Sequence, residues 1–195
     1  FMARLRRLEG SVGGDRLGAA EQGAEGWNAV PELFPGNDSS DVAELVGLAT
    51  DDLKSRFGVS PTRLDKCKWI LRGRRLWLHT MREWPVDAWE TGVWRPISIG
   101  FRAVEFDSRG RPRPTNDLLR WLGHEVHSRI VDVNNTQLHQ LLTQQSVPVP
   151  GDLLGPVALR RSTDTLGRGA MTRDGLKSEI PRSRAIDLAR ALDID

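Results

Sequence analysis

Most of the chemistry this sequence offers is carried by arginine. Three groups of cations stand out: Lys66, Lys68, Arg72, Arg74 and Arg75; then Arg109, Arg111 and Arg113; then Arg160, Arg161, Arg168, Arg173, Lys177, Arg182 and Arg184. A guanidinium pairs bidentately with phosphate and stacks on bases, so arginines set among glycine and proline suit a phosphodiester ligand. Gly167, Gly169 and Gly175 lie within the third group, where missing side chains leave backbone N–H groups open to an anion. The expected contact residues are Arg109, Arg111, Arg113, Arg160, Gly167, Arg168, Gly169, Arg173, Lys177, Arg182 and Arg184.

Catalytic chemistry finds less support. His124-x-x-His127 has metal-pair spacing, but Gly123 should end the helix before it, and zinc sites of this kind add cysteines. Cys67 is the only cysteine, which excludes an internal disulfide. Its neighbours Lys66 and Lys68 would lower the thiol pKa if it were exposed. Gly167-x-Gly169 lacks the third glycine and the following helix of a dinucleotide fingerprint. No Walker loop or Gly-x-Ser-x-Gly elbow occurs. No catalytic residue, metal or cofactor is assigned, and the chain is not expected to be an enzyme.

These residues need a frame to hold them. Val42, Leu45, Val46, Ala49, Leu53 and Phe57 recur at helical spacing after Ser39, Ser40 or Asp41, with Gly58 as the stop. Residues 68–72 and 75–79 read as strands of a hairpin turning at Gly73-Arg74. Residues 96–106 read as one strand, and 108–114 as a loop too rich in proline for a regular element. Thr115 or Asn116 caps a helix over 117–122, 129–133 is a strand, and Asn134, Asn135 or Thr136 caps a helix over 137–144. A hairpin over 155–161 and 166–172 follows the Pro148–Gly151 region, and Ser183 caps a closing helix over 184–192. Helices and mixed strands in this order make an α+β protein. Five tryptophans within residues 69–94 suit either a small core or base stacking, with burial the default.

Charge is unevenly distributed. Residues 1–57 carry 6 Lys and Arg against 10 Asp and Glu, while residues 58–195 carry 22 against 16. The basic surplus thus belongs to the part with folded patterning, which favours a polyanionic partner. Residues 1–38 read as a loosely ordered arm. With 38% hydrophobic residues and 28% charged, wholesale disorder is excluded. No apolar run is long enough for a membrane span, and no apolar core follows the basic residues 2–8 as a signal peptide requires. With its lone cysteine, the chain is expected to be cytoplasmic, without a membrane partner.

The order of elements from Gly92 onward resembles the PUA-like RNA-binding region that follows the catalytic domain in Sun-family RNA cytosine-5 methyltransferases. It is also similar to short archaeal proteins that carry this region alone. The resemblance rests on Ile99-Gly100-Phe101, the basic turn 109–113, the proline-led helix 114–122, and Leu166-Gly167-Arg168-Gly169. It ends on Leu176-Lys177-Ser178-Glu179-Ile180-Pro181-Arg182, where Ser178 replaces an asparagine of the family pattern and Arg182 a lysine. About half the chain is covered. The methyltransferase core is missing: no S-adenosylmethionine loop is present, and Cys67 follows Lys66 rather than a proline.

The resemblance implies an N-terminal helix and small mixed α/β subdomain over 39–147, then the C-terminal part of a PUA-like β-barrel over 148–195. It implies a non-catalytic protein that binds structured RNA, ribosomal or transfer, in RNA modification or ribosome biogenesis, with a methyltransferase or ribosomal protein as a further partner. The alternative is a protein-interaction adaptor or assembly factor without direct RNA contact, its acidic arm folding on a partner.

Overall fold

The computed structural model describes residues 4–7, 39–80, 94–98 and 100–192. In chain order the elements are β1 (Arg4–Arg7), α1 (Ser39–Phe57), α2 (Pro61–Leu64), β2 (Lys68–Arg72), β3 (Arg75–His79), β4 (Trp94–Ser98), β5 (Phe101–Phe106), β6 (Pro112–Pro114) and α3 (Asn116–Leu122). A 3-10 turn (Gly123–Glu125), β7 (Ile130–Asp132), α4 (Asn135–Leu142), β8 (Gly155–Arg161), β9 (Asp164–Thr172), β10 (Gly175–Ser178) and α5 (Arg182–Ala191) follow. The α+β class is as expected. The described strands form three open sheets, ordered β1-β4, β2-β3-β5-β6 and β10-β9-β8-β7, and no pairing among them closes a barrel. No described helix is long and apolar enough to cross a membrane. The acidic arm expected over 1–38 lies outside the described residues apart from β1.

Local chemistry explains the elements that position the basic residues. The helical stripe of α1 buries Ala49, Leu53 and Phe57. Gly58, at φ +66, then turns the chain so that its own N–H and that of Val59 return to the carbonyls of Lys54 and Leu53. The β2-β3 hairpin pairs Lys68 with His79 and Arg72 with Arg75. Thr115 caps α3 through the Leu118 N–H at 3.2 Å. Asn134 and Gln137 close a capping box on α4, with bonds of 2.9 and 3.0 Å.

Three expectations need correction. The strand expected over 96–106 is two strands divided at Gly100, whose φ is +68 and whose Cβ, if present, would lie 2.0 Å from the Leu78 carbonyl oxygen. Only glycine permits that approach. The region 108–114 does contain a regular element: β6 pairs along the edge of β5, with Val104 opposite Pro114 and Phe106 opposite Pro112. An edge strand tolerates prolines because only one of its sides is bonded. Ser183 does not cap α5, which starts at Arg182 after Pro181 and has no side-chain cap. Cys67 is half-buried, so the condition for a lowered thiol pKa is not met: burial pushes it up, against the smaller opposing effect of Arg63.

Two cores result. In the first, α1 and α3 cover β3 and β5 through Leu53, Phe57, Leu76, Leu78, Val104 and Leu118. In the second, α4 and α5 cover the C-terminal sheet through Leu138, Leu141, Val157, Leu159, Met171 and Leu176. Helix α3 touches both β5 and β9 and so joins the halves. Trp69 and Trp121 pack against the first core, Trp121 also lying 4.2 Å beneath the Arg63 guanidinium, so neither is presented for base stacking.

Candidate nucleic-acid interface

The second basic group sits on a turn shaped by its own sequence. The Asp107 carboxylate accepts the backbone N–H of Arg109 at 2.8 Å and of Arg111 at 3.0 Å, and the Arg111 Nε at 3.1 Å. These donors, the Arg111 backbone N–H foremost, hold the Asp107 carboxyl below its usual pKa range. The turn projects Arg109 into solvent, and the Arg109 side chain has no ion-pair partner among the described residues. It also delivers Arg111 and Arg113 to a cleft of about 520 Å³, lined as well by Arg56, Arg129, Asp107, Pro112, Leu154 and Pro156.

Arg56 and Arg129 were not legible as site residues. Arg56 reads as an ordinary helix-terminal cation, and it pairs with Asp52 at 2.5 Å. Arg129 reads as the first residue of a strand. In the folded chain Arg129 is a non-glycine residue at φ +54, a conformation that side chains disfavour. Its Nε donates to the Pro156 carbonyl at 2.8 Å and its Nη2 to the Leu154 carbonyl. Backbone oxygens, not a carboxylate, thus hold its charge in place.

Arg113 links this cleft to the third group. Its side chain, about half exposed, reaches Glu179 at 3.4 Å, and the other oxygen of Glu179 accepts the Arg168 Nε. Beside them, Arg184 and Arg120 share Asp117 at 2.9 and 2.8 Å. The N-terminal turn of α3 therefore gathers Arg113, Arg120, Arg168 and Arg184 around two acids.

The glycine ledge expected at 167–169 does not exist. Gly167 and Gly169 are buried. A Cβ on Gly167 would meet Asn116 Oδ1 at 2.5 Å, and one on Gly169 would meet the Leu159 side chain at 2.8 Å. Asn116 Oδ1 accepts the Arg168 N–H at 2.6 Å, while its Nδ2 donates to the Glu179 carbonyl at 3.0 Å. These glycines are small so that helix α3 and the second core can close over them, leaving no backbone for a nucleotide chain. Arg168 is corrected with them: its side chain is 14% exposed and its Nη1 donates to the Pro114 carbonyl at 2.6 Å, so it fastens the two halves together.

Other third-group residues are apart from this junction. Arg160 forms a two-pronged pair with Asp132 at 2.6 and 2.9 Å, which holds the Asp132 carboxyl below its usual pKa range. Arg161 donates to Asn135, and Lys177 pairs loosely with Asp174 at 3.6 Å. Arg182 is exposed at the start of α5 without a side-chain partner among the described residues. Arg173 borders a separate groove with Pro148, Pro150, Leu154 and Met171. In the first group, Arg75 is drawn to Glu105 at 3.3 Å.

No protein-family model and no curated protein sequence matches this chain. Chemistry alone therefore ranks the surfaces. The cleft brings four arginines together with one aspartate, whereas the groove beside Arg173 holds one arginine with Asp152 and Asp174.

Proposed function

We propose that this chain is a non-catalytic RNA-binding protein that recognises structured RNA, ribosomal or transfer, in RNA modification or ribosome assembly. One observation carries this reading: Arg111 and Arg113 of the second group line one cleft together with Arg56 and Arg129. Arginines confronting phosphate exchange weakly held carboxylate partners for stronger bidentate ones, and exposed pairs such as Arg111–Asp107 cost little to open. On the PUA-like reading, Leu166–Gly169 and Leu176–Ser178 lie on the antiparallel β9-β10 pair, with 148–195 as the C-terminal part of that region and 39–147 as the preceding subdomain. On this reading Arg109, Arg111, Arg113 and Arg184 meet phosphates, with Arg160, Arg173, Lys177 and Arg182 extending the field.

Ultraviolet crosslinking to cellular RNA with peptide mapping tests it. Crosslinks should concentrate in peptides spanning 107–113. Recovery of no RNA above a protein of similar charge would overturn the proposal, and protein partners captured in its place would favour the adaptor reading.

A further inference from the structure

We infer that the cleft seats a single unpaired nucleotide, with its phosphate on Arg111, Arg113 and Arg129 and its sugar and base against Pro112, Leu154 and Pro156. This rests on the RNA-binding reading and names the element recognised. Size is the first argument. About 520 Å³ falls within the range of small-ligand sites, whereas a strand-tracking groove would run on across the surface. A duplex keeps its bases stacked and turned inward, so it presents phosphates without bases to such a hollow; an unpaired nucleotide brings both.

The lining is divided to match. Four arginines line the cleft, of which Arg56, Arg111 and Arg113 each pair with an acid (Asp52, Asp107 and Glu179) and Arg129 with none among the described residues, and Pro112, Leu154 and Pro156 supply an apolar wall. Leu154 is 57% exposed and sits on that wall, where it offers apolar surface to a base or sugar. Arg129 is the fixed element. Two backbone carbonyls hold its guanidinium through Nε and Nη2, and no ion pair joins it to an acid among the described residues. A cation already held in position loses little freedom when an anion arrives. Asp107 limits affinity: one of its oxygens builds the turn through backbone N–H groups, while the other competes with phosphate for Arg111.

The ligand chemistry is a nucleoside monophosphate, drawn from a looped-out RNA residue or from a free nucleotide, and the test separates the two. Titrate the full chain with AMP, adenosine and inorganic phosphate, and separately with an RNA hairpin carrying one bulged nucleotide and with its fully paired counterpart. AMP should bind more tightly than phosphate or adenosine, and the bulged hairpin about tenfold more tightly than the paired one, the worth of one charge-assisted contact. Arg111→Gln with Arg113→Gln should abolish that preference while Arg161→Gln, outside both the cleft and the proposed contact set, preserves it. Asp107→Asn, which keeps the turn-forming oxygen, should strengthen AMP binding. AMP binding without bulge preference would support the nucleotide site and identify the free nucleotide as its source. Equal RNA affinities with no AMP binding overturn the inference and leave RNA binding standing. Failure to bind either hairpin overturns the RNA-binding reading itself.

Discussion

Arg168 separates a structural arginine from a ligand-binding one, and Arg168→Met makes the distinction measurable. Methionine keeps the unbranched stem but removes the charge-assisted bond to Glu179 and the 2.6 Å bond to the Pro114 carbonyl. Hydrogen bonds involving charged groups contribute about 1.5–3 kcal/mol each. Glu179 is 30% exposed and keeps Arg113, which reduces the loss on its side. The expected destabilisation is about 3 kcal/mol, most of it from the stranded Pro114 carbonyl and the weakened junction. For a chain of this size that corresponds to a fall in Tm of roughly 6–12 °C. Circular dichroism melts measure it directly. RNA affinity of the folded variant, and its salt dependence, should match the parent. An unchanged Tm together with weakened RNA binding would refute the reasoning, because it would place the Arg168 guanidinium on the ligand.

Further predictions concern the frame. Gly167→Ala forces a methyl group to within 2.5 Å of Asn116 Oδ1, so loss of both Asn116 bonds should cost about 2–4 kcal/mol in urea unfolding, and a neutral result would show that α3 yields freely. Asn134→Ala removes the capping box of α4 and should cost about 1 kcal/mol in the same assay, with no change in RNA binding. Asp52 is half-buried with Oδ2 unpartnered, and burial raises its pKa above the ordinary 3.8, against the smaller pull of Arg56. A raised carboxyl pKa gives stability that is full below the ordinary value and lost as pH rises through the folded one. The stability of the parent relative to Asp52→Asn should therefore decline as pH rises above the ordinary carboxyl value of 3.8, and a rise with pH there would contradict the assignment.

What the sequence made legible was local. The apolar stripe of α1, the Gly73 turn and the caps at Thr115 and Asn134 each follow from interactions within a few residues. The Asp107–Arg113 turn was visible as a basic loop for the same reason. What escaped depends on partners far along the chain. Asn116 is 52 residues from Arg168, and Glu179 is 66 from Arg113, so neither the covering of Gly167 nor the pairing of these arginines had a local signature. A glycine that makes room for a neighbouring helix looks the same in sequence as one that admits a ligand. Arg56 and Arg129 reach the cleft only because α1, β7 and β8 meet there, and an isolated arginine gives no hint of that meeting.

The central claim is that the cationic surface running from the cleft through Arg113 holds RNA by its phosphates. Its most direct test is the dependence of RNA affinity on salt, measured by fluorescence anisotropy for the parent and for Arg111→Gln with Arg113→Gln. Removing one arginine–phosphate pair should make the slope of log K against log salt shallower by about 0.7–0.9, so the slope of the double variant should fall by about 1.5. An unchanged slope in the variant, or parent affinity weaker than about 100 μM at low salt, would contradict the account.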